Sequence, residues 1–318
     1  MTLALPVEGI SVGHFSDREG LTGCTVILTP AGVTASVDIR GGAPGTLETA
    51  LLSPFAAVGE IHAVLLTGGS APGLGAAAGV TAFLRESGCG YRTPYARVPL
   101  VAAAVIYDLG LGSAQACPGH EDAYQACDSA GFQVEEGSVG AGTGATVGKI
   151  LGASGLMKGG LALSTVVLGG GVTVTALTVV NALGDIIAED GAILAGARRD
   201  NAFVDSARLL LSLPEAPTFA AMESTTLSVV LTDAKMDKLH CSIVARMSHD
   251  GLGRAINPVH TPVDGDCVFV LATGERPSNV FQVGAAAAEA VAMSIRRAVR
   301  VAEGLGGAPA LKDFASAT

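Results

Sequence analysis

The 318 residues are 49% hydrophobic and 15% charged, a balance that buries a large core and excludes a disordered chain. The 43 glycines follow no three-residue period, which excludes collagen and calls for many tight turns or close backbone approaches. A net charge of −10, with no Lys/Arg cluster longer than Arg296-Arg297, excludes a nucleic-acid footprint.

In chain order, the start Met-Thr-Leu-Ala-Leu-Pro-Val-Glu lacks a basic region and a long apolar run, so no signal peptide is expected and the chain reads as cytoplasmic. Ile10–His14 and Cys24–Leu28 are predicted strands around an Asp17–Thr22 turn, and Val33–Ile39 is a third strand. It leads into the loop Arg40-Gly-Gly-Ala-Pro-Gly45, which lacks the Lys-Ser/Thr ending of a phosphate cradle. Ile61–Thr67 is a strand that Gly68–Gly73 turns into the small-residue helix Leu74–Glu86; such a turn either packs helix on sheet or binds an anion. Gly68-Gly69-Ser70 is not a G-x-S-x-G elbow, so a Ser-His-Asp hydrolase gains nothing there.

Pro99–Leu109 is an apolar run that delivers Tyr107 to its end, and Gly119–Gly131 has a helical pattern. Gly137–Gly148 is a small-residue loop ending at Lys149, a position where solvent exposure is the default. Gly159–Leu183 carries no charge, but its five glycines and its Val/Thr content indicate two buried strands around a turn, ending at Asn181, and no membrane span. Asp205–Leu213 is helical, and Leu213–Ser224, with two prolines, is an exposed loop. Leu227–Leu231 and Val268–Ala272 are strands. Lys235–Ile256 is a helix with Leu239, Ile243, Ala245, Met247 and Leu252 towards one side, and Ala285–Gly304 is an Ala-rich helix. Cys24, Cys89, Cys117, Cys127, Cys241 and Cys267 form no C-x-x-C pair, which points to reduced, mostly buried thiols and no metal site.

The chemistry concentrates between Glu223 and Phe269, where Glu-Ser-Thr-Thr-Leu opens a β-rich run and a Pro-bounded loop places Asp264 and Asp266 on either side of a glycine. A hydroxyl nucleophile needs a base. A threonine at a new N-terminus carries its own, because an α-amine has a pKa of about 7.7–8.0. The expectation is that the Ser224–Thr225 bond is cut and that Thr225 becomes the nucleophile; Ser224 and Thr226 are neighbouring alternatives.

Nine motifs in order then resemble the family of L-aminopeptidase/D-esterases and β-aminopeptidases, with its nylon-oligomer (6-aminohexanoate oligomer) hydrolase branch. They are Gly9-Ile-Ser-Val-Gly-His, Thr22-Gly-Cys-Thr-Val, Arg40-Gly-Gly-Ala-Pro-Gly, Leu66-Thr-Gly-Gly-Ser, Ala104-Val-Ile-Tyr-Asp, Gly140-Ala-Gly-Thr-Gly-Ala-Thr-Val-Gly-Lys, Val180-Asn-Ala, Ser224-Thr-Thr-Leu and Pro258-Val-His-Thr-Pro-Val-Asp-Gly-Asp. The resemblance implies an α+β fold, a four-layer αββα sandwich like that of N-terminal-nucleophile hydrolases and ornithine acetyltransferases. It implies one hydrolase domain over residues 1–318, self-cleaved into 1–224 and 225–318, and homotetramers of such units. It implies no cofactor, no membrane or nucleic-acid partner, and a small amide, peptide or 6-aminohexanoate-oligomer substrate, with ester cleavage as a further activity.

By the same resemblance Thr225 is the nucleophile, Tyr107 and Asn181 surround the substrate carbonyl, Lys149 acts electrostatically, and Asp264 and Asp266 orient the threonine and its amine. Two positions depart from the pattern. Ser224 stands where the nylon-hydrolase branch has Asn. Val105 stands where the aminopeptidase branch has an acid that holds a substrate ammonium, which favours an amide or oligomer hydrolase of looser specificity. The alternatives are an acetyltransferase, whose Ala-Thr-Met-Leu motif the chain lacks, and an unprocessed non-catalytic oligomer.

Overall fold

In a computed structural model the chain is described over residues 2–200, 202–214 and 223–315. Most of the loop expected before the scissile bond, residues 215–222, lies outside the described residues.

The strands that matter are β1 (Ser11–Asp17), β2 (Thr22–Ile39), β3 (Ile61–Thr67), β4 (Val101–Val105), β5 (Gly160–Val167), β6 (Thr173–Asn181), β7 (Thr225–Ala234) and β8 (Cys267–Arg276). Four helices cover them: α1 (Ala77–Glu86), α2 (His120–Asp128), α3 (Lys238–Ala255) and α4 (Val280–Val301). The two strands expected at Cys24–Leu28 and Val33–Ile39 are one long strand, β2, with a register break between Leu28 and Val33. Its first half pairs with β1 and β3, and its second half pairs with β8. The hydrogen-bonded order is β5-β6-β7-β8-β2-β3-β4, so β2 passes from one sheet into the other.

Side chains alternate across a strand, so each buried strand serves two interfaces. Leu227, Val229 and Leu231 of β7 meet Cys267, Phe269 and Leu271 of β8, Val64 and Leu66 of β3, and Ala102 and Ala104 of β4 in the core between the sheets. The opposite faces go to the helices: Val230, Val268 and Val270 pack with α3 and α4, while Ala63, Leu65, Val101 and Ala103 pack with α1 and α2. Helix, sheet, sheet, helix is the four-layer αββα sandwich. Its inner layer is fully buried at Phe269, where truncation to Ala should cost about 3–5 kcal/mol.

The helix α3 turns a different face to the core from the one its large apolar residues suggest. Leu239 is exposed and Ile243 and Met247 are half-buried, whereas Cys241, Val244, Ser248, His249 and Ala255 are buried beside the expected Ala245 and Leu252. Small residues decide this, because α3 and α4 approach closely: a Cβ on Gly251 would lie 2.3 Å from the Ala288 carbonyl oxygen. Among the described residues no helix is long and apolar enough to cross a membrane.

Strand direction gathers the site at one end of the sheet. β7 and β8 are parallel, so Thr225 and Asp266 stand at adjacent N-terminal ends. β6 and β2 are antiparallel to their neighbours in that sheet, so Asn181 lies opposite Thr225 and Ile39 lies opposite Cys267. The Arg40–Gly45 loop therefore leaves β2 beside the acids, with the Ala43 N–H donating to the Asp264 carbonyl at 3.0 Å.

Candidate active site

Thr225 is the first residue of β7 and is 4% exposed. Its hydroxyl donates to the Ser224 carbonyl oxygen at 2.6 Å, and the Gly265 N–H donates to the same oxygen at 2.9 Å. The Gly265 amide thus polarises the carbonyl preceding the threonine, an arrangement that stabilises charge developing on that oxygen. Gly265 has to be glycine for this approach: a Cβ there would stand 2.6 Å from the Ala43 carbonyl oxygen and 2.9 Å from Thr225 Oγ1.

The two acids hold different groups. Asp266, 1% exposed, accepts the Thr226 N–H on Oδ1 at 2.7 Å and His260 Nδ1 on Oδ2 at 2.7 Å. Asp264 accepts the Thr261 N–H and hydroxyl on Oδ2, each at 2.7 Å. Burial, and then the neighbouring Asp266, push the Asp264 carboxyl up to about 6, against the pull of the Thr261 donors and Lys149.

Lys149, against the default for a lysine after a glycine loop, is buried. Gly148, at φ 69°, packs its backbone against Gly196 and Ala197, closer than a side chain would allow. The Lys149 ammonium donates to Asn181 Oδ1 at 2.8 Å and to the carbonyls of Asn181 at 3.4 Å and Glu223 at 3.3 Å. Burial lowers it to about 7, while Asp264, Asp108 and Glu223 pull the other way. Asn181 Oδ1 also accepts the Thr146 N–H at 3.0 Å, and its Nδ2 donates to the Tyr107 carbonyl at 3.0 Å. All six residues expected from the sequence, with Ser224, therefore share one end of the sheet. The amide donor on the Ser224 carbonyl is that of Gly265, in the loop between the two acids.

Two cavities flank this cluster. One of about 250 Å³ is lined by Thr225, Ser224, Ser70, Val105, Tyr107 and Glu223 among others. The second, about 240 Å³, is lined by Lys149, Asp108, Leu111, Leu156, Tyr107 and Glu223 among others. Tyr107 and Glu223 belong to both, so they form the partition.

Sequence reasoning missed three participants: Gly265 as amide donor, His260 as partner of Asp266, and Asp108. Asp108 accepts the Thr22 hydroxyl at 2.7 Å and the Gly69 N–H at 2.8 Å, and burial raises its pKa. A signal for His260 was present, since it sits inside the Pro-bounded loop with both acids. In the Gly68–Gly73 turn the Gly69 N–H is taken by the Asp108 carboxylate, while Ser70 and Ala71 line the Thr225 cavity.

The αββα sandwich, with a buried threonine opening one of its central strands, is a fold of the Ntn hydrolase type. The L-aminopeptidase D-Ala-esterase/amidase from Ochrobactrum anthropi, described as a variant of the Ntn hydrolase fold, superposes with a TM-score of 0.74 at 21% identity, covering 96% of this chain and 90% of that one. A Burkholderia sp. β-aminopeptidase gives 0.71 at 20% identity, covering 100% and 96%.

Sequence goes further: residues 5–311 match Peptidase family S58, and the chain belongs to that family. It is 38% identical over 339 residues to an uncharacterized aminopeptidase of Mycobacterium tuberculosis, covering 97% of this chain and 96% of that one. To a 6-aminohexanoate-oligomer endohydrolase of Kocuria sp. it is 34% identical over 283 residues, covering 86% and 76%. The protein is a hydrolase acting on amide bonds.

Proposed function

We propose that the chain is a self-processing amide hydrolase whose nucleophile is Thr225, released at a new N-terminus by scission of the Ser224–Thr225 bond. The observation that carries this reading is the Thr225 hydroxyl held 2.6 Å from the Ser224 carbonyl oxygen, with the Gly265 amide on that same oxygen. In maturation, Thr225 Oγ1 attacks the Ser224 carbonyl carbon, and the C–N bond breaks as the Thr225 nitrogen takes up the hydroxyl proton. An ester between Ser224 and Thr225 Oγ1 results, and water hydrolyses it to a Ser224 carboxylate and a free Thr225 amine. In turnover that amine accepts the Oγ1 proton as Oγ1 attacks a substrate amide, then returns it to the departing amine. Water hydrolyses the acyl-enzyme.

For the substrate, the reading favours small peptide amides, amino-acid amides or 6-aminohexanoate oligomers over strict removal of N-terminal residues, with esters as a second bond type. Val105 supports this, since it lines the nucleophile cavity where an ammonium-binding acid would stand.

Intact mass and N-terminal sequencing should find fragments 1–224 and 225–318, and Thr225→Ala should give one uncut, inactive chain. Assays then follow with p-nitroanilides of L-, D- and β-amino acids and with 6-aminohexanoate oligomers. Light scattering tests the tetramer of cut units. An active preparation consisting of a single continuous chain would overturn the proposal.

A further inference from the structure

We propose that His260 is a positioning residue for the nucleophile, acting through Asp266 on the backbone of the strand that Thr225 opens. This rests on Thr225 being the nucleophile.

The Thr226 N–H sits one residue past Thr225, just before the β7–β8 pairing begins at Leu227 and Cys267. It donates at 2.7 Å to Asp266 Oδ1, so a carboxylate oxygen takes the place of a ladder carbonyl. The position of the nucleophile's strand end thus depends on where that carboxylate is held. Its second oxygen is gripped twice by one residue: His260 Nδ1 at 2.7 Å and the His260 N–H at 3.3 Å. Both donors can face one oxygen because His260 adopts φ 54°, in the left-handed region that non-glycine residues enter rarely and chiefly under constraint.

The imidazole is braced from behind. Its ring meets that of His249 edge-on, with centroids 4.8 Å apart and planes at 69°. His249 Nε2 lies 3.1 Å from the Asp38 carbonyl oxygen and 3.5 Å from Asp38 Oδ2, and Asp38 pairs with Arg40 Nε at 3.0 Å. His260 is therefore wedged between Asp266 and a histidine anchored to the end of β2. Neither His260 nor His249 lines the Thr225 or the Lys149 cavity, so neither meets substrate there. The two acids divide the work accordingly: Asp266, clamped by His260, fixes the strand, and Asp264 closes the loop through Thr261.

The test uses three variants of the full-length chain. In His260→Asn an amide nitrogen can stand near the place of Nδ1, and Asn tolerates a positive φ. His260→Gln keeps the bulk but sets its amide one bond further out. His260→Gly relieves the backbone and removes the ring donor, leaving only the backbone N–H on Asp266. Self-cleavage is followed on denaturing gels, and turnover of L-alanine p-nitroanilide is expressed per mole of chain beginning at Thr225, with melting temperatures measured alongside.

The expected result is a fall in self-cleavage rate and kcat on the order of tenfold or more for Gln and Gly, as for a misplaced reacting group. KM should stay within about twofold and Asn should recover most of kcat, because a group that orients the nucleophile acts on the chemical step and not on substrate binding. The inference is overturned if Gln and Gly keep wild-type kcat, or if all three variants lose activity only in step with their melting temperature. Thr225→Ala is run in parallel. Activity in that variant removes the nucleophile assignment itself, whereas an inactive Thr225→Ala beside a fully active His260→Gln removes only the role of His260.

Discussion

A single methyl group at residue 265 tests whether the Thr225 oxygen is the one that reacts. In Gly265→Ala the new Cβ would lie 2.9 Å from Thr225 Oγ1, 2.6 Å from the Ala43 carbonyl oxygen and 3.1 Å from Pro44 Cα. Relaxed contacts between heavy atoms need about 3.5–4.0 Å, so the hydroxyl has to retreat by roughly half an ångström or leave its rotamer. A misplacement of about 1 Å can cost on the order of 100-fold; half of that predicts roughly 10-fold slower self-cleavage and turnover. The stability cost of such overpacking is about 1–3 kcal/mol, small enough for a domain stable by roughly 5–15 kcal/mol to stay folded. The assay is a time course on denaturing gels, paired with urea unfolding. Gly253→Ala serves as control: its Cβ meets nothing within 4 Å, and in the last turn of α3 it should add up to about 1 kcal/mol of stability. If Gly265→Ala is destabilised yet cuts and turns over at the wild-type rate, the crowding is felt by the fold and not by the nucleophile, and the assignment of Thr225 fails.

Thr225→Ser keeps the hydroxyl and should restore both scission and turnover that Thr225→Ala abolishes, as read by intact mass; activity in the alanine variant refutes the mechanism. Val105→Asp should raise kcat/KM for L-alanine p-nitroanilide about tenfold relative to its N-acetylated form, because it puts an anion in the wall of the nucleophile cavity; an unchanged ratio argues that no ammonium reaches that wall. Lys158, fully buried, donates to the Thr143 and Ala145 carbonyls at 2.6 and 2.8 Å, and burial lowers it to about 7. Between pH 7 and about 10 the unfolded chain then carries a proton that the folded chain lacks, so stability should rise with pH by up to about 1.4 kcal/mol per unit for this lysine. Lys158→Met should flatten the pH dependence of the urea midpoint over that range, and an equal slope in both proteins refutes the assignment.

The parts of the fold legible in the sequence are those where one strand writes its own pattern. Ile61–Thr67 was marked by its flanking turn and buried run, and the uncharged Gly159–Leu183 stretch resolved into β5 and β6 around a turn. What the sequence hid depends on contacts between distant segments. β2 looks like two strands because Pro30 and Gly32 break its pattern, yet one strand runs on through Gly32, at φ 78°, while its partners change. The buried face of α3 was misjudged because Leu239, Ile243 and Met247 form an apolar stripe, whereas close helix approach selects the small residues beside it. Within the site, side chains were legible and backbone donors were not: nothing in the residue type of Gly265 announces that its amide points at Ser224.

Residues 225–318 supply β7, β8, α3 and α4, and every one of these elements is hemmed in by the other part of the chain. β7 is laced to β6 on one flank, β8 to β2 on the other, and β5 and β6 lean on α4. A chain severed after Ser224 would therefore release no free piece; its halves would stay interlocked like the fingers of two hands. Once pulled apart, they would have to meet again in solution, turning a one-body folding problem into a concentration-dependent reunion. Recovery of such a severed protein after heating should therefore fall with dilution, whereas the uncut polypeptide should refold at a rate independent of its concentration.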